Sequence, residues 1–548
     1  MTRNLTKRAA IFCGVLAGAL ALLAALTAVP SVQAAAGGQA TAKREFNKTL
    51  PLATDQTLAI ENKFGEVRIH GGVGHDLNIS ATIRTQAGSQ EKADQRADEI
   101  RIDVSQDAHG VRVRTVYQDP LITVRIGDHT SYSVDYDITM PGDARLWLKN
   151  SFGNVDVRGV HGWSEVVNAN GNVQLHEGSG AKITNSFGSV ETGNSSGDLT
   201  VINANGPLSV SDVKGNLDAK DRFGDVHVNT VQGTVAISGG NGGVELTDVG
   251  GATVSNSFGA VTARNVRGNL SVNNNNGVID ANTVSGSAEL NGSFGAISFT
   301  NISGRVRCNS SNAGVHGGQT GDEVYVKTSF GEVELQQIGG ALEAENANGG
   351  LVVREVKGFA TLKTSFGKIE ASKLLKGARA TSGNGSITLR DVVGDVYAKT
   401  SFGTIRLERV TGNITAEDSN GAVSANSVSG DTGVKTTFGA VSLEGIGGAI
   451  TVDNANGAVS ATALPATGGD CHNVSIKTSF SPIQIRLPEN AGYTLTAHTS
   501  FGHINSELPV TTTGTVSPET LSGKIGNGAC TLLLTNGNSN IDISKLPK

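Results

Sequence analysis

Two pairs of carboxylates, Glu332 with Glu334 and Glu343 with Glu345, are the closest this sequence comes to a catalytic arrangement. Residues two apart on a strand share a face, and paired acids on one sheet are what general acid–base cleavage of a polysaccharide needs. Acidic residues are otherwise scattered, and a solvated strand face accounts for these pairs. The 11 His residues are scattered, with no His-Glu-x-x-His and no Cys-x-x-Cys to hold a metal. Gly239-Gly240-Asn241-Gly242-Gly243 has the glycines of a Ca²⁺-binding nonapeptide without its repeated Asp, and reads as a flexible corner. His70, Gly71, Gly72, Gly74 and His75 read as a turn, and the many Gly-x-Gly strings precede no helix that would make them phosphate loops. The expectation is a chain without catalytic, metal-binding or cofactor-binding residues. A net charge of −6 leaves no basic footprint for nucleic acid.

What does recur is structural. Phe-Gly appears at Phe152, Phe187, Phe223, Phe258, Phe294, Phe330, Phe366, Phe402 and Phe438, in steps of 35 or 36 residues. Almost midway lies Asn-Gly, at Asn170, Asn205, Asn241, Asn276, Asn348, Asn384, Asn420 and Asn456, with Asn312-Ala313-Gly314 in the one gap. A fixed period of this kind marks a solenoid. Two places after every Phe-Gly glycine stands Val or Ile, from Val155 to Val441, and seven places after it the residue is apolar except at Ser195. The residue immediately after the glycine varies freely, from Asn154 to Lys368 to Ala440. Each half-repeat therefore reads as corner, strand, Gly turn, strand, with Val and Ile on a buried pleated face and Gly supplying positive φ at the bends.

The expected fold is an all-β parallel β-solenoid of 18-residue coils with alternating Phe-Gly and Asn-Gly corners. A wide 36-residue coil is the alternative, but small side chains would leave it unfilled. At a rise of about 4.8 Å, some 17 coils give a rod of roughly 80 Å. Phe and Asn then alternate up one edge, Phe packing at its corner and Asn making polar contacts one layer away. Aromatic residues are 4% and charged residues 17%, too few for one large globular core.

Around the array lie less regular segments. Arg3, Lys7 and Arg8 precede an apolar run from Ala9 to Val29 and the small residues Ala34-Ala35-Ala36, which together read as a signal peptide over 1–34. The run is also long enough to remain as an uncleaved anchor. Residues 43–146 form a strand-rich N-terminal capping region with a short helix near Gln90 to Ile100, where Phe64-Gly65-Glu66-Val67 anticipates the repeat. Residues 147–465 are the regular coils, and 466–548 break the beat as irregular coils and a C-terminal cap, Phe501 following Phe480 by only 21 residues. Cys471 and Cys530 could bridge this last region in an oxidising compartment, while Cys308 reads as a buried small apolar residue.

The run Leu58-Ala59-Ile60-Glu61-Asn62-Lys63-Phe64-Gly65-Glu66-Val67, the segment Tyr136-Asp137-Ile138-Thr139-Met140-Pro141, and the Ser-Phe-Gly-x-Val and Asn-Ala-Asn-Gly-x-Val repeats carry a resemblance. Together they make the chain similar to the bacterial putative-adhesin family of exported β-strand-repeat proteins, a domain of unknown function. The resemblance runs from about residue 50 to the end. It implies an exported β-solenoid and adhesion by analogy, with no catalytic residues to carry over. The expected function is thus a non-enzymatic, adhesin-like structural or binding protein, exported to the periplasm, cell surface or medium. Its partner would be an extracellular glycan or another envelope or surface protein, with membrane contact only through an uncleaved N-terminal segment. Repeated Lys327-Thr328, Lys363-Thr364 and Lys399-Thr400 offer a polar row for a glycan, or simply confer solubility. The alternatives are a carbohydrate-active β-helix enzyme and an envelope-anchored sensor or scaffold.

Overall fold

The computed structural model describes residues 39–117, 130–464, 471–512 and 517–546, so the expected signal segment 1–34 lies outside the described residues. Among the described residues the chain is a parallel β-solenoid with one helix. Most coils contribute two strands, each pairing with the second one before it and the second one after it, while Val226–Gly239 and Val244–Asn256 each run through a whole coil as one strand. Val324–Thr328 and Val333–Ile338 make one coil, and Leu342–Asn346 and Leu351–Val356 the next. Val324 is the Cα partner of Leu342 and Val333 of Leu351. The coil is therefore the 18-residue one, and no wide coil occurs among the described residues.

The two strands of a coil face each other across a thin core. Val324 and Val326 from the first strand meet Val333, Leu335 and Ile338 from the second, all buried. Each such side chain contributes roughly 1.5–3 kcal/mol on burial. Their spacing hides a change of parity. Val333 and Leu335 share a face, but Ile338, three residues on, would point outward from an uninterrupted strand. Gln337, at φ 56°, lies in the left-handed region and turns the chain so that Ile338 faces inward again.

The same device recurs in a column of 15 non-glycine residues from Glu177 to Ser427, with Gly159 and Gly445 at its ends. Thr230 and Thr283 belong to it at φ 58° and 59°, a conformation rare for β-branched residues. The corner glycines were expected to supply positive φ. Gly153 and Gly171 do, at 130°, but those from Gly349 to Gly457 do not. What these need is the missing side chain. A Cβ on Gly403 would fall on the carbonyl oxygen of Gly385, and one on Gly439 on that of Gly421. Glycine stacks on glycine at a separation no other residue permits.

Both ends are closed by antiparallel strands, which occupy edges that would otherwise template further pairing. Thr57–Glu61 and Val67–Gly72 form a coil beneath Arg145–Phe152 and Val155–Arg158, so the repeat begins at Phe64. Gly110–Tyr117 and Ser131–Pro141 lie beneath that coil. Ile100–Asp107 then pairs antiparallel with the first of these, and Asp76–Ala87 with the second. The helix Gln90–Glu99 is capped by Ser89, whose hydroxyl accepts from the Lys92 N–H, and buries Ala93 and Ala97.

At the other end the layers leave sequence order. Cys530–Asn536 and Ile541–Lys545 stack on Val474–Thr478 and Ile483–Leu487. Tyr493–Thr499 and Ile504–Ser506 stack beyond them. The chain goes first to the outermost layer and then returns to fill the one beneath. A disulfide between Cys471 and Cys530, with Cα atoms 5.8 Å apart, ties the returning layer to the body of the rod.

Candidate functional site

The corner between the two strands of each coil builds one continuous edge. Asn170 is the Cα partner of both Phe152 and Phe187, and Phe187 is also that of Asn205. Phe and Asn thus alternate up this edge, one per coil. The returning C-terminal layer keeps the alternation. Asn538 falls between Phe480 and Phe501 and donates to the Ser479 carbonyl oxygen at 2.9 Å. The short interval between those two phenylalanines in sequence is therefore not a break in space.

Seven of these asparagine side chains, Asn538 among them, reach back to the residue before a Phe on the neighbouring coil. Asn170 donates to Ser151 at 3.2 Å, Asn205 to Ser186 at 3.0 Å and Asn276 to Ser257 at 2.9 Å. Asn348, Asn420 and Asn456 do the same to Ser329, Ser401 and Thr437. The phenylalanines depart from expectation. Instead of packing at the corner, their rings project into solvent, from 47% exposed at Phe152 to 79% at Phe501. The cause is the residue two places earlier, which takes the inward position. Thr328 precedes Phe330 there, Thr364 precedes Phe366 and Thr400 precedes Phe402, all buried. The eleven rings from Phe152 to Phe501 form a column at every second coil, about 9.6 Å apart.

The inward column is polar along most of its length, with Gly239 and Gly292 in two of its layers. Asn346 donates to the Gly331 carbonyl oxygen at 2.7 Å and Asn454 to that of Gly439 at 2.9 Å; Thr400 donates to that of Gly385 at 3.0 Å. These bonds satisfy the carbonyls of the tight corners. Asp221 and Asp418 occupy the same column. Burial raises the pKa of each, against the N–H groups of Gly224 and Phe223 or of Gly421 and Asn420 that bond their oxygens.

Burial of Thr328, Thr364 and Thr400 also removes half of the expected polar row. The lysines beside them meet acids on neighbouring coils, except between Lys363 and Lys399, where Thr381 stands. Lys327 and Lys363 flank Glu345 at 3.9 and 3.6 Å, and Lys399 meets Glu417 at 2.8 Å. That hydrogen bond lowers the Glu417 pKa and raises the Lys399 pKa. Glu345 is thus engaged by lysines rather than acting with Glu343 as an acid pair.

The lateral faces hold two features that bear on catalysis. A groove of about 760 Å³ crosses the coils between Asn216 and Arg307, floored by Gly233, Gly250, Gly251 and Gly268. Its one lining carboxylate is Glu289, whose Cα partner on the next coil is Arg307. On the opposite sheet, Ser209, His227 and Glu245 stand on successive coils, as do Ser298, His316 and Glu334. His227 lies 3.4 Å from Glu245. Among the described residues neither histidine hydrogen-bonds its serine, as a nucleophile–base pair requires. Cys308 is buried, which pushes its thiol up to about 12.

No family model matches this chain, and no curated protein does. Among solved structures it is similar to the crystal structure of a putative cell adhesion protein from Clostridium sporogenes ATCC 15579, at 9% identity over 36% of this chain and 99% of that chain, with a TM-score of 0.21. At that score the likeness carries no argument.

Proposed function

We propose that this chain is an exported, non-enzymatic rod of the cell envelope or surface, acting as an adhesin-like structural or binding protein through its Phe/Asn edge. The column of exposed phenylalanines is the observation that carries the reading. Large apolar side chains left uncovered in a regular array of this length, rather than scattered singly, read as a contact surface. The basic, apolar and small-residue order of the first 36 residues supports export.

Beads coated with the protein test the adhesive role when challenged with cell-wall polysaccharide, extracellular matrix and identically coated beads. Adhesion to any of these, lost on changing five central phenylalanines to Asn, is the expected result. Adhesion that is absent, or indifferent to those phenylalanines, overturns the reading. Mass spectrometry of the secreted chain tests export, the expected N-terminus being Ala35 or Gly37. The groove beside Glu289 favours carbohydrate-active chemistry as the second reading. Release of reducing or unsaturated ends from acidic polysaccharides would establish that reading in place of the first.

A further inference from the structure

We infer that the phenylalanine edge is a homotypic interface, and that its occupant is the same edge of a second copy of this chain, offset by one coil. The inference rests on the reading of that edge as a contact surface and specifies what it contacts. The first argument is period. Between successive rings lies one coil bearing Asn, so the column is a row of knobs and gaps of equal length. A partner must match that repeat over many coils, and another copy matches it by construction. Shifted by one coil, each ring of one copy enters the gap above an Asn of the other.

The second argument is the ring spacing that results. Interleaved columns place rings one coil apart. Phe64 and Phe152 already stand on adjacent coils of this edge, and there the rings stack with centroids 5.2 Å apart and planes within 10°. That is a favourable aromatic separation. Pairing two edges extends along the rod the stack that the first two coils form within one chain.

The third argument is area. An aromatic side chain carries roughly 150–250 Å². Eleven rings about half exposed therefore offer on the order of 1,200 Å² per copy, against about 800 Å² per partner in a standard stable interface. Rings alone reach that size, and only if most of the column is engaged. A contact at one or two rings would not suffice, so pairing is cooperative along the rod.

The test is the mass of the full-length chain by sedimentation equilibrium. Two variants accompany it. In the first, Phe258, Phe294, Phe330, Phe366 and Phe402 are changed to Asn, the residue that alternate coils carry at this position. In the second the rings are kept and Asn312→Glu and Asn384→Glu place charge in the gaps. The apolar run Ala9 to Val29 is common to all three proteins, so only differences between them count. The unmodified chain is expected at twice the monomer mass and both variants at the monomer mass, with circular dichroism unchanged.

A monomeric unmodified chain, or a dimer that persists in both variants, overturns the proposal. Should the first variant fail to fold, the second decides alone. Polysaccharide pull-down and flotation with phosphatidylglycerol vesicles separate the other occupants. Phenylalanine-dependent binding to either by a monomeric chain overturns the homotypic interface while leaving the adhesive role intact. If neither self-association nor any binding depends on the phenylalanines, both fall.

Discussion

The side-chain amide of Asn420 lies 2.9 Å from the carbonyl oxygen of Ser401, on the preceding coil and next to Phe402. The main-chain N–H of Asn420 donates to the same oxygen at 3.0 Å. One carbonyl thus accepts from both the main-chain and the side-chain nitrogen of the asparagine, as the Thr437 carbonyl does from Asn456. Because Ser401 keeps its main-chain bond when the amide is lost, Asn420→Ala is expected to cost only about 0.5–1 kcal/mol. Denaturant unfolding of the variant checks the figure, and a loss well beyond it would show that the amide holds more than one corner.

Asp418 is the more informative position. Its Oδ1 accepts from the N–H groups of Gly421 and Asn420, while its Oδ2 is buried without a partner. Asn346 and Asn454 fill the equivalent places in other layers and donate to corner carbonyls. Asp418→Asn should therefore keep the accepting oxygen, supply the missing donor and stabilise the chain by about 1–3 kcal/mol at neutral pH.

The pH dependence follows from the raised carboxyl pKa. The folded state holds the proton more tightly than the unfolded state, so the carboxyl's contribution to stability falls as pH rises above the unfolded value. The gain from Asp418→Asn is expected to be small in acid and full at pH 7, measured as the difference in thermal midpoint across that range. A gain that is larger in acid would refute the burial argument.

Much of this architecture is legible in the sequence, for reasons tied to particular residues. The 18-residue coil and the alternating edge follow from Phe152 to Phe438 and their intervening asparagines, because a stacked repeat must return the same residue to the same place. The left-handed column cannot be read there, since Glu177, Gln337, Lys373 and Arg409 share no residue type. Its only trace is the odd interval between Val333 and Ile338. The outward turn of the phenylalanines escapes a sequence reading because hydrophobicity alone assigns them inside, whereas Thr328 and its counterparts take that place. The layer order at the C-terminus is hidden because contact there no longer follows chain order.

That left-handed column makes a prediction about Thr283. A left-handed conformation costs an ordinary L-residue about 1–2 kcal/mol, and Asn tolerates it better. Asn194, Asn265 and Asn301 occupy the same column at φ 55°, 57° and 55°. Thr283→Asn should raise stability by about 1 kcal/mol. Thermal unfolding checks this, and an unchanged or lowered midpoint would mean that the turn is not strained.

The glycine stack predicts the opposite sign. On Gly403 the carbonyl oxygen of Gly385 occupies the place of a Cβ, and the obstacle is main chain, which cannot rotate away. Gly403→Ala must push apart a pair of hydrogen-bonded coils. A loss of at least about 3 kcal/mol is expected, at the upper end of overpacking costs. Hydrogen exchange should place the opening between the coils of Gly385 and Gly403. Protection lost evenly along the rod would contradict the stacking argument.

The disulfide closes a loop of 59 residues that contains the whole out-of-order excursion. Constraining a loop of that length in the unfolded chain is worth about 4 kcal/mol. In a solenoid each layer touches only its neighbours, so the loss on Cys471→Ser should fall on the terminal layers rather than on the array. Residues 474–545 are expected to lose hydrogen-exchange protection while Val155–Val441 keep theirs. Proteolysis should then remove the C-terminal layers and leave the rod standing; simultaneous loss of both regions would instead make the rod one cooperative unit.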